Sequence, residues 1–281
     1  MATQVTLTLH PSGVTFAPEF VTTPNGGRRR VTVQALWARV EHPTQGTLLI
    51  DTGYSAHFEA ATAHWPQRMW RWITPVQAAP EQGAAARLQA MGIAPASISQ
   101  ILITHFHPDH IGGLLDFPKA QFRFLDDAYS AVRDVGQWGQ LRAGFLSGLM
   151  PADFEARALP FSLSQFSLLP AEFAPFERGY DLFNDGSLMI IPLPGHASGQ
   201  IGCVMQTTAG AVFLVVDAAW HSHNVTQNAP LHPMAEAFSP DRTALRATLA
   251  LLRDFHQRRP DVAILPFHCP MVYNQWVNPA E

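Results

Sequence analysis

Residues 104–113 read THFHPDHIGG, which places His105, His107, Asp109 and His110 within six positions. Imidazoles this close repel one another when protonated and, when neutral, each presents a lone pair that needs a partner. A divalent metal is such a partner. Imidazole nitrogen and carboxylate oxygen suit a borderline ion such as zinc, and the same ligands also accept Mn, Fe or Co. Three later positions repeat the pattern of a candidate ligand just after an apolar run. His196 follows Leu188-Met189-Ile190-Ile191, Asp217 follows Ala211 to Val216, and His268 follows Ala263-Ile264-Leu265. Seven ligands exceed one tetrahedral shell. They suffice for two metals sharing a carboxylate, with a position left for water.

The elements that position these residues are legible as short runs. Val5 to Leu9 and Val31 to Val40 read as strands. Gly46 to Ile50 pairs with the second of these in a hairpin that turns near His42-Pro43-Thr44-Gln45. Ile101-Leu102-Ile103, Phe122 to Leu125, Leu188 to Ile191, Gly202 to Thr207, Ala211 to Val216 and Ala263 to Leu265 are further strands. Helices are expected near 81–91, over most of 126–149, and from Ser239 to Arg258 with Ser239 as cap and Pro240 at the first position. Residues 1–30 read as an N-terminal arm, irregular from 11, and about 134–180 as a segment covering a pocket. Strands in both halves with helices between them fit a layered α/β domain with two sheets, and no repeat or linker divides residues 1–281.

The remaining composition excludes several classes. The chain has 281 residues, 14% of them charged, with a formal net charge of −4. A nucleic-acid surface needs clustered Lys and Arg, and the single run Arg28-Arg29-Arg30 reads as a solvated turn. No stretch has the roughly 18 apolar residues of a membrane span, and the N-terminus lacks a signal pattern. The two cysteines give no disulfide framework, so the expected setting is cytoplasmic. The expected partner is a small-molecule substrate, with a homodimer left open.

The HxHxDH form of residues 105–110 resembles the metallo-β-lactamase superfamily. Pro194-Gly195-His196, Asp217 and His268 fall in that family's order, and Asp51-Thr52-Gly53 is similar to its first motif. The resemblance covers about 31–273 and implies a four-layered αββα sandwich with a binuclear site at one edge of the sheets. It implies that His105, His107 and His196 hold one metal, that Asp109, His110 and His268 hold the other, and that Asp217 bridges them. Asp51 is implied to orient the ligand loop. The implied activity is metal-dependent hydrolysis, in which a hydroxide bridging two Zn²⁺ attacks an ester, lactone or related acyl carbon, with Asp109 moving the proton. Phosphotriester or thioester hydrolysis is the alternative within the class, and an iron-dependent oxidoreductase on the same fold is the alternative outside it.

Leu182 to Ser187 and Pro194 to Gln200 look like the lactonase and methyl parathion hydrolase-like branch. There are two departures. Gly199-Gln200 stands where those lactonases show a second histidine, and Trp220 stands where they carry a tyrosine. Trp220, His221 and His223 are read as candidates for the pocket. Trp65, Trp70 and Trp72 are read first as core, with a substrate or dimer lip as the second reading. His10, His42, His57, His64 and His256 are read as surface or packing residues.

Overall fold

A computed structural model describes residues 3–279. Among these residues thirteen strands form two sheets. The first contains β1 (Thr6–Pro18), β2 (Arg30–His42), β3 (Gly46–Ile50), β4 (Val76–Gln77), β5 (Gln100–Leu102), β6 (Gln121–Leu125) and β7 (Ala158–Phe161), in the order β4-β1-β2-β3-β5-β6-β7. The second contains β8 (Ser167–Leu168), β9 (Arg178–Asp181), β10 (Leu188–Pro192), β11 (Ile201–Thr207), β12 (Gly210–Val216) and β13 (Ala263–Pro266), in the order β13-β12-β11-β10-β9-β8. Pairing is antiparallel from β1 to β3 and parallel from β3 through β7, and the second sheet is antiparallel except for β12 with β13.

Two-residue alternation sorts the strands' side chains into layers. On β2, Leu36, Ala38 and Val40 face the second sheet and pack with Leu188, Ile190, Leu214 and Val216. The intervening Ala35 and Trp37 face outward and pack with Leu88, Ile111, Phe145 and Phe154 from the helices over the first sheet. On β12, Val212, Leu214 and Val216 point inward, while Phe213 and Val215 meet Leu245, Leu249, Leu252 and Phe255 of the long helix Arg242–Arg258. A fully buried side chain of this kind contributes about 1.5–3 kcal/mol, so each sheet is held on both faces. This is the four-layered αββα sandwich of the metallo-β-lactamase fold.

Several local expectations are corrected. The arm is irregular only in part, because β1 runs on through His10 to Pro18. Pro11 is accommodated at a register shift between Pro11 and Val14, beside the two-residue edge strand β4. The long helix starts at Arg242, because the Asp241 carboxylate accepts the Ala244 N–H at 2.9 Å and caps it in place of Ser239. Between 126 and 149 the helices are short pieces, Asp126–Ser130 and Gln137–Ala143, followed by a single turn at Ser147–Leu149. Trp65 and Trp72 are 56% and 67% exposed and stack edge-to-face on each other, so they are not core. No helix among the described residues is long and apolar enough to cross a membrane.

Candidate metal centre

The sandwich delivers each candidate ligand at the end of a strand. β5 runs into Thr104-His105, and the short helix Pro108–Ile111 carries Asp109 and His110. Parallel pairing of β12 and β13 sets Asp217 beside His268, with Phe267 N–H donating to Val216 O at 3.1 Å. Ile201 N–H donates to Thr104 O at 3.1 Å, tying the second sheet to the loop that bears His105.

Two donor groups result. In the first, His107 Nδ1 lies 3.1 Å from His105 Nε2 and 3.0 Å from His196 Nε2, and His196 Nε2 lies 3.3 Å from Asp217 Oδ2. In the second, His268 Nε2 lies 3.1 Å from both Asp109 Oδ2 and Asp217 Oδ2, and His110 Nε2 lies 3.4 Å from Asp217 Oδ2. All seven sequence candidates therefore converge, with Asp217 common to both groups.

The loop carrying the cluster is clamped from behind. Asp51 is fully buried. Its Oδ1 accepts Thr104 N–H at 2.8 Å, and its Oδ2 accepts Thr104 Oγ1–H at 2.7 Å and meets His110 Nδ1 at 2.7 Å. His268 Nδ1 donates to Gln34 O at 2.8 Å. These contacts leave the Nε2 of both histidines facing the cluster. Gly112 packs on the 51–54 loop so closely that an added Cβ would lie 2.5 Å from Gly53 O. Asp51 and Val216 both sit at positive φ, 60° and 52°. For a β-branched residue such as Val216 this is a strained conformation, and it lies immediately before the shared carboxylate.

The electrostatics differ between the groups. Burial, together with the neighbouring histidines, presses His105 well below the ordinary imidazole value and His107 down to about 3. Burial also opposes charge on His110 and His268. The Asp217 and Asp109 carboxylates overcome it, with Asp51 adding at His110, and hold His110 up at about 10 and His268 well above its ordinary value. The same attractions outweigh burial at the carboxylates, so Asp109 falls to about 2 and Asp217 well below the usual range.

This donor set fits divalent metals. One proton cannot serve both contacts of His107 Nδ1. Nitrogen separations near 3 Å approach the edge of a tetrahedron, roughly 3.3–3.4 Å for metal–nitrogen bonds of about 2.0–2.1 Å. His110 Nε2 and Asp217 Oδ1 are buried without a hydrogen-bond partner. The positive charge that the carboxylates attract onto the imidazoles is what a cation would bring instead, with release of those protons.

The cluster forms the floor of a cavity of about 370 Å³ whose walls are mostly apolar. Phe16, Pro18, Val21, Trp70, Ile73, Met234 and Phe238 are among the lining residues, so part of the wall comes from the stretch first read as an irregular arm. Of the segment 134–180, Leu141, Arg142 and Gly144 line the cavity, whereas Phe145, Leu146, Leu149 and Phe154 are buried under the first sheet's outer face. Trp220 does face the site, with its ring 6.2 Å from that of His196 and 6.3 Å from that of His268. His221 and His223 do not line the cavity. His221 is buried, accepts His223 N–H at its Nδ1 and donates its own N–H to Asn224 Oδ1, which turns the pair into a local turn. Tyr54 lines the cavity and was missed: it directly follows Asp51-Thr52-Gly53, but a single tyrosine has no spacing that marks it.

Residues 31–123 match the metallo-beta-lactamase superfamily. The N-acyl homoserine lactonase AttM of Azorhizobium caulinodans is 29% identical over 189 residues, which span 64% of this chain and 63% of that protein. A crystal structure of a quorum-quenching N-acyl homoserine lactone lactonase superposes with a TM-score of 0.70 at 16% identity, covering 98% of this chain and 97% of the other. AidC, a dizinc quorum-quenching lactonase, superposes with a TM-score of 0.60 at 13% identity, covering 96% and 89%. Residues 31–123 thus match the metallo-β-lactamase superfamily, the chain has that superfamily's fold, and it is similar to the superfamily's lactonase branch.

Proposed function

We propose that this protein is a metal-dependent hydrolase of small esters, lactones or related acyl compounds, working as one domain around two divalent ions, of which zinc is the first choice. The observation that carries this reading is the convergence of five histidines and two aspartates into two donor groups sharing Asp217, at the base of an apolar cavity. Relatives named as lactonases and metallo-hydrolases support it. His105, His107 and His196 would hold one ion, Asp109, His110 and His268 the other, and Asp217 both. Bound there, the ions supply Lewis acidity to a hydrolytic water and to the acyl carbonyl.

The chain's own residues do the rest. Asp109, which lines the cavity, accepts the proton of the attacking water and returns it to the leaving oxygen. Asp51 and the carbonyl of Gln34 fix the two rings of the second group. Trp220 and the apolar walls keep bulk water from the acyl carbon and accommodate an apolar substituent.

The test is a zinc-loaded protein assayed against alkyl esters, aryl esters, lactones, thioesters and phosphotriesters, alongside elemental analysis. The expected result is two ions per chain and acyl hydrolysis that chelation abolishes and zinc restores. One ion per chain, or no acyl hydrolysis in the loaded protein, overturns the reading.

A further inference from the structure

Resting on that reading, we propose that Tyr54 is the hydrogen-bond donor to the leaving-group oxygen. Acyl hydrolysis ends with a carbon–oxygen bond breaking and negative charge gathering on the departing oxygen, so a donor aimed there lowers the barrier. Few candidates line this cavity. Beyond the metal-ligand candidates, its side-chain polar hydrogens belong to Tyr54, Trp220, Arg142, three threonines and Trp70, whose indole N–H is sealed in the interior.

Three observations single out Tyr54. First, it is only 4% exposed, yet its hydroxyl has no hydrogen-bond partner among the described residues. That oxygen is not among the sealed, unpartnered atoms of the interior, and the cavity Tyr54 lines is its route to solvent. A phenylalanine would supply the same packing without the cost of dehydrating a hydroxyl. Second, the residue is immobilised. Its N–H donates to Ser12 Oγ at 2.9 Å, Gly112 closes on its backbone, and its ring meets Phe58 edge-to-face at 5.7 Å. A donor fixed in this way loses little entropy when it engages substrate. Third, Tyr54 lines the same cavity as Asp109 and Asp217, and burial holds the proton on its phenol. Tyr54 therefore donates a hydrogen bond and keeps its proton. The proton that ends on the leaving oxygen is the one Asp109 took from water, so the step balances without a change of state at Tyr54.

Arg142 is exposed, and the hydroxyls of Thr15 and Thr22 already donate to Pro75 O and Glu19 O.

The experiment uses the metal-loaded protein and its Tyr54→Phe variant on a series of esters of one acid, from nitrophenyl to alkyl leaving groups. A lost hydrogen bond to a charge-bearing oxygen should lower kcat/KM about 10–100-fold for alkyl esters and less than about threefold for nitrophenyl esters. The dependence on leaving-group basicity should steepen while metal content and melting temperature stay at parental values. Tyr54→Met, also lacking the hydroxyl, must steepen it in the same way. An equal loss across the series would assign the hydroxyl to the carbonyl oxygen or to packing, and an unchanged series would leave it no role; either result overturns the proposal. A loaded parent inactive on every ester of the series overturns this proposal, and one inactive on lactones and thioesters too overturns the hydrolase reading as well, which separates the two failures.

Discussion

Gly144 lies at positive φ, 69°, where the helix Gln137–Ala143 ends, and it packs directly on His107. An ideal Cβ there would stand 2.6 Å from His107 Cδ2 and 2.7 Å from Nε2, whereas ordinary contact begins at 3.4 Å. In Gly144→Ala the imidazole must therefore retreat by the difference, about 0.8 Å. It cannot do so and keep Nδ1 within 3.0–3.1 Å of its two neighbours. Displacements above about 0.5 Å take a ligand out of productive geometry. The substitution also places a side chain in the left-handed region, at a cost of about 1–2 kcal/mol. Gly92→Ala separates the two effects, because Gly92 has φ 79° and a Cβ added there would meet nothing within 4 Å. Both variants should lose about 1–2 kcal/mol in denaturant melts of the metal-free protein. Only Gly144→Ala should weaken zinc binding, by at least about tenfold in a competitive chelator titration. Equal zinc affinities in the two variants would refute the claim that Gly144 seats His107.

Asp217→Ala should lose at least one metal and nearly all turnover, and a variant keeping both ions and near-parental turnover would remove the bridging role. Asp51→Asn keeps a residue that tolerates the φ of 60° but cannot accept from Thr104 and His110 as a carboxylate does, so metal affinity should fall about 10–100-fold, measured by chelator competition. Trp220→Tyr adds a hydroxyl beside His196 and His268 and should raise lactone turnover relative to aryl ester turnover; an unchanged ratio counts against Trp220 setting the preference. His10 stacks on Trp37, and burial, helped by Arg39 and Arg87, lowers it from 6.5 to about 4. The native ring stays neutral where the unfolded ring is already protonated, so stability is lost as pH falls from about 6.5 to about 4. His10→Phe should flatten that slope in urea melts run across this range.

The residues that converge at the candidate site could be read from the chain because their chemistry is dense and their supports are short. Each follows an apolar run of three to six residues, and a buried strand fixes where the next side chain can go. The walls of the cavity could not be read in the same way. Phe16, Pro18, Trp70, Met234 and Phe238 come from separate stretches that share no period, and only the folding of β1, the loop after β3 and the segment after β12 brings them together. Pro11 and Gly13 argued locally against a strand. Long pairing with β2 overrode them, because a register shift absorbs the proline.

The same contrast separates roles from contacts among the histidines. His42 is nearly fully buried, with Nε2 2.8 Å from Asp185 Oδ2 and 3.1 Å from Ser187 Oγ, a set of residue types that could suggest nucleophilic catalysis. Its Nδ1, however, accepts the N–H groups of Thr44 and Gln45 at 3.2 and 3.1 Å. That fixes the proton on Nε2 and leaves no lone pair to take one from Ser187. The ring instead ties the β2–β3 turn to the turn before β10. In the candidate metal centre the assignment is reversed. Asp51 and Gln34 take the outward nitrogens of His110 and His268, and the inward nitrogens face carboxylates. In both places histidine and aspartate stand in contact, and the partner of the second ring nitrogen decides whether the pair ties loops together or presents a ligand.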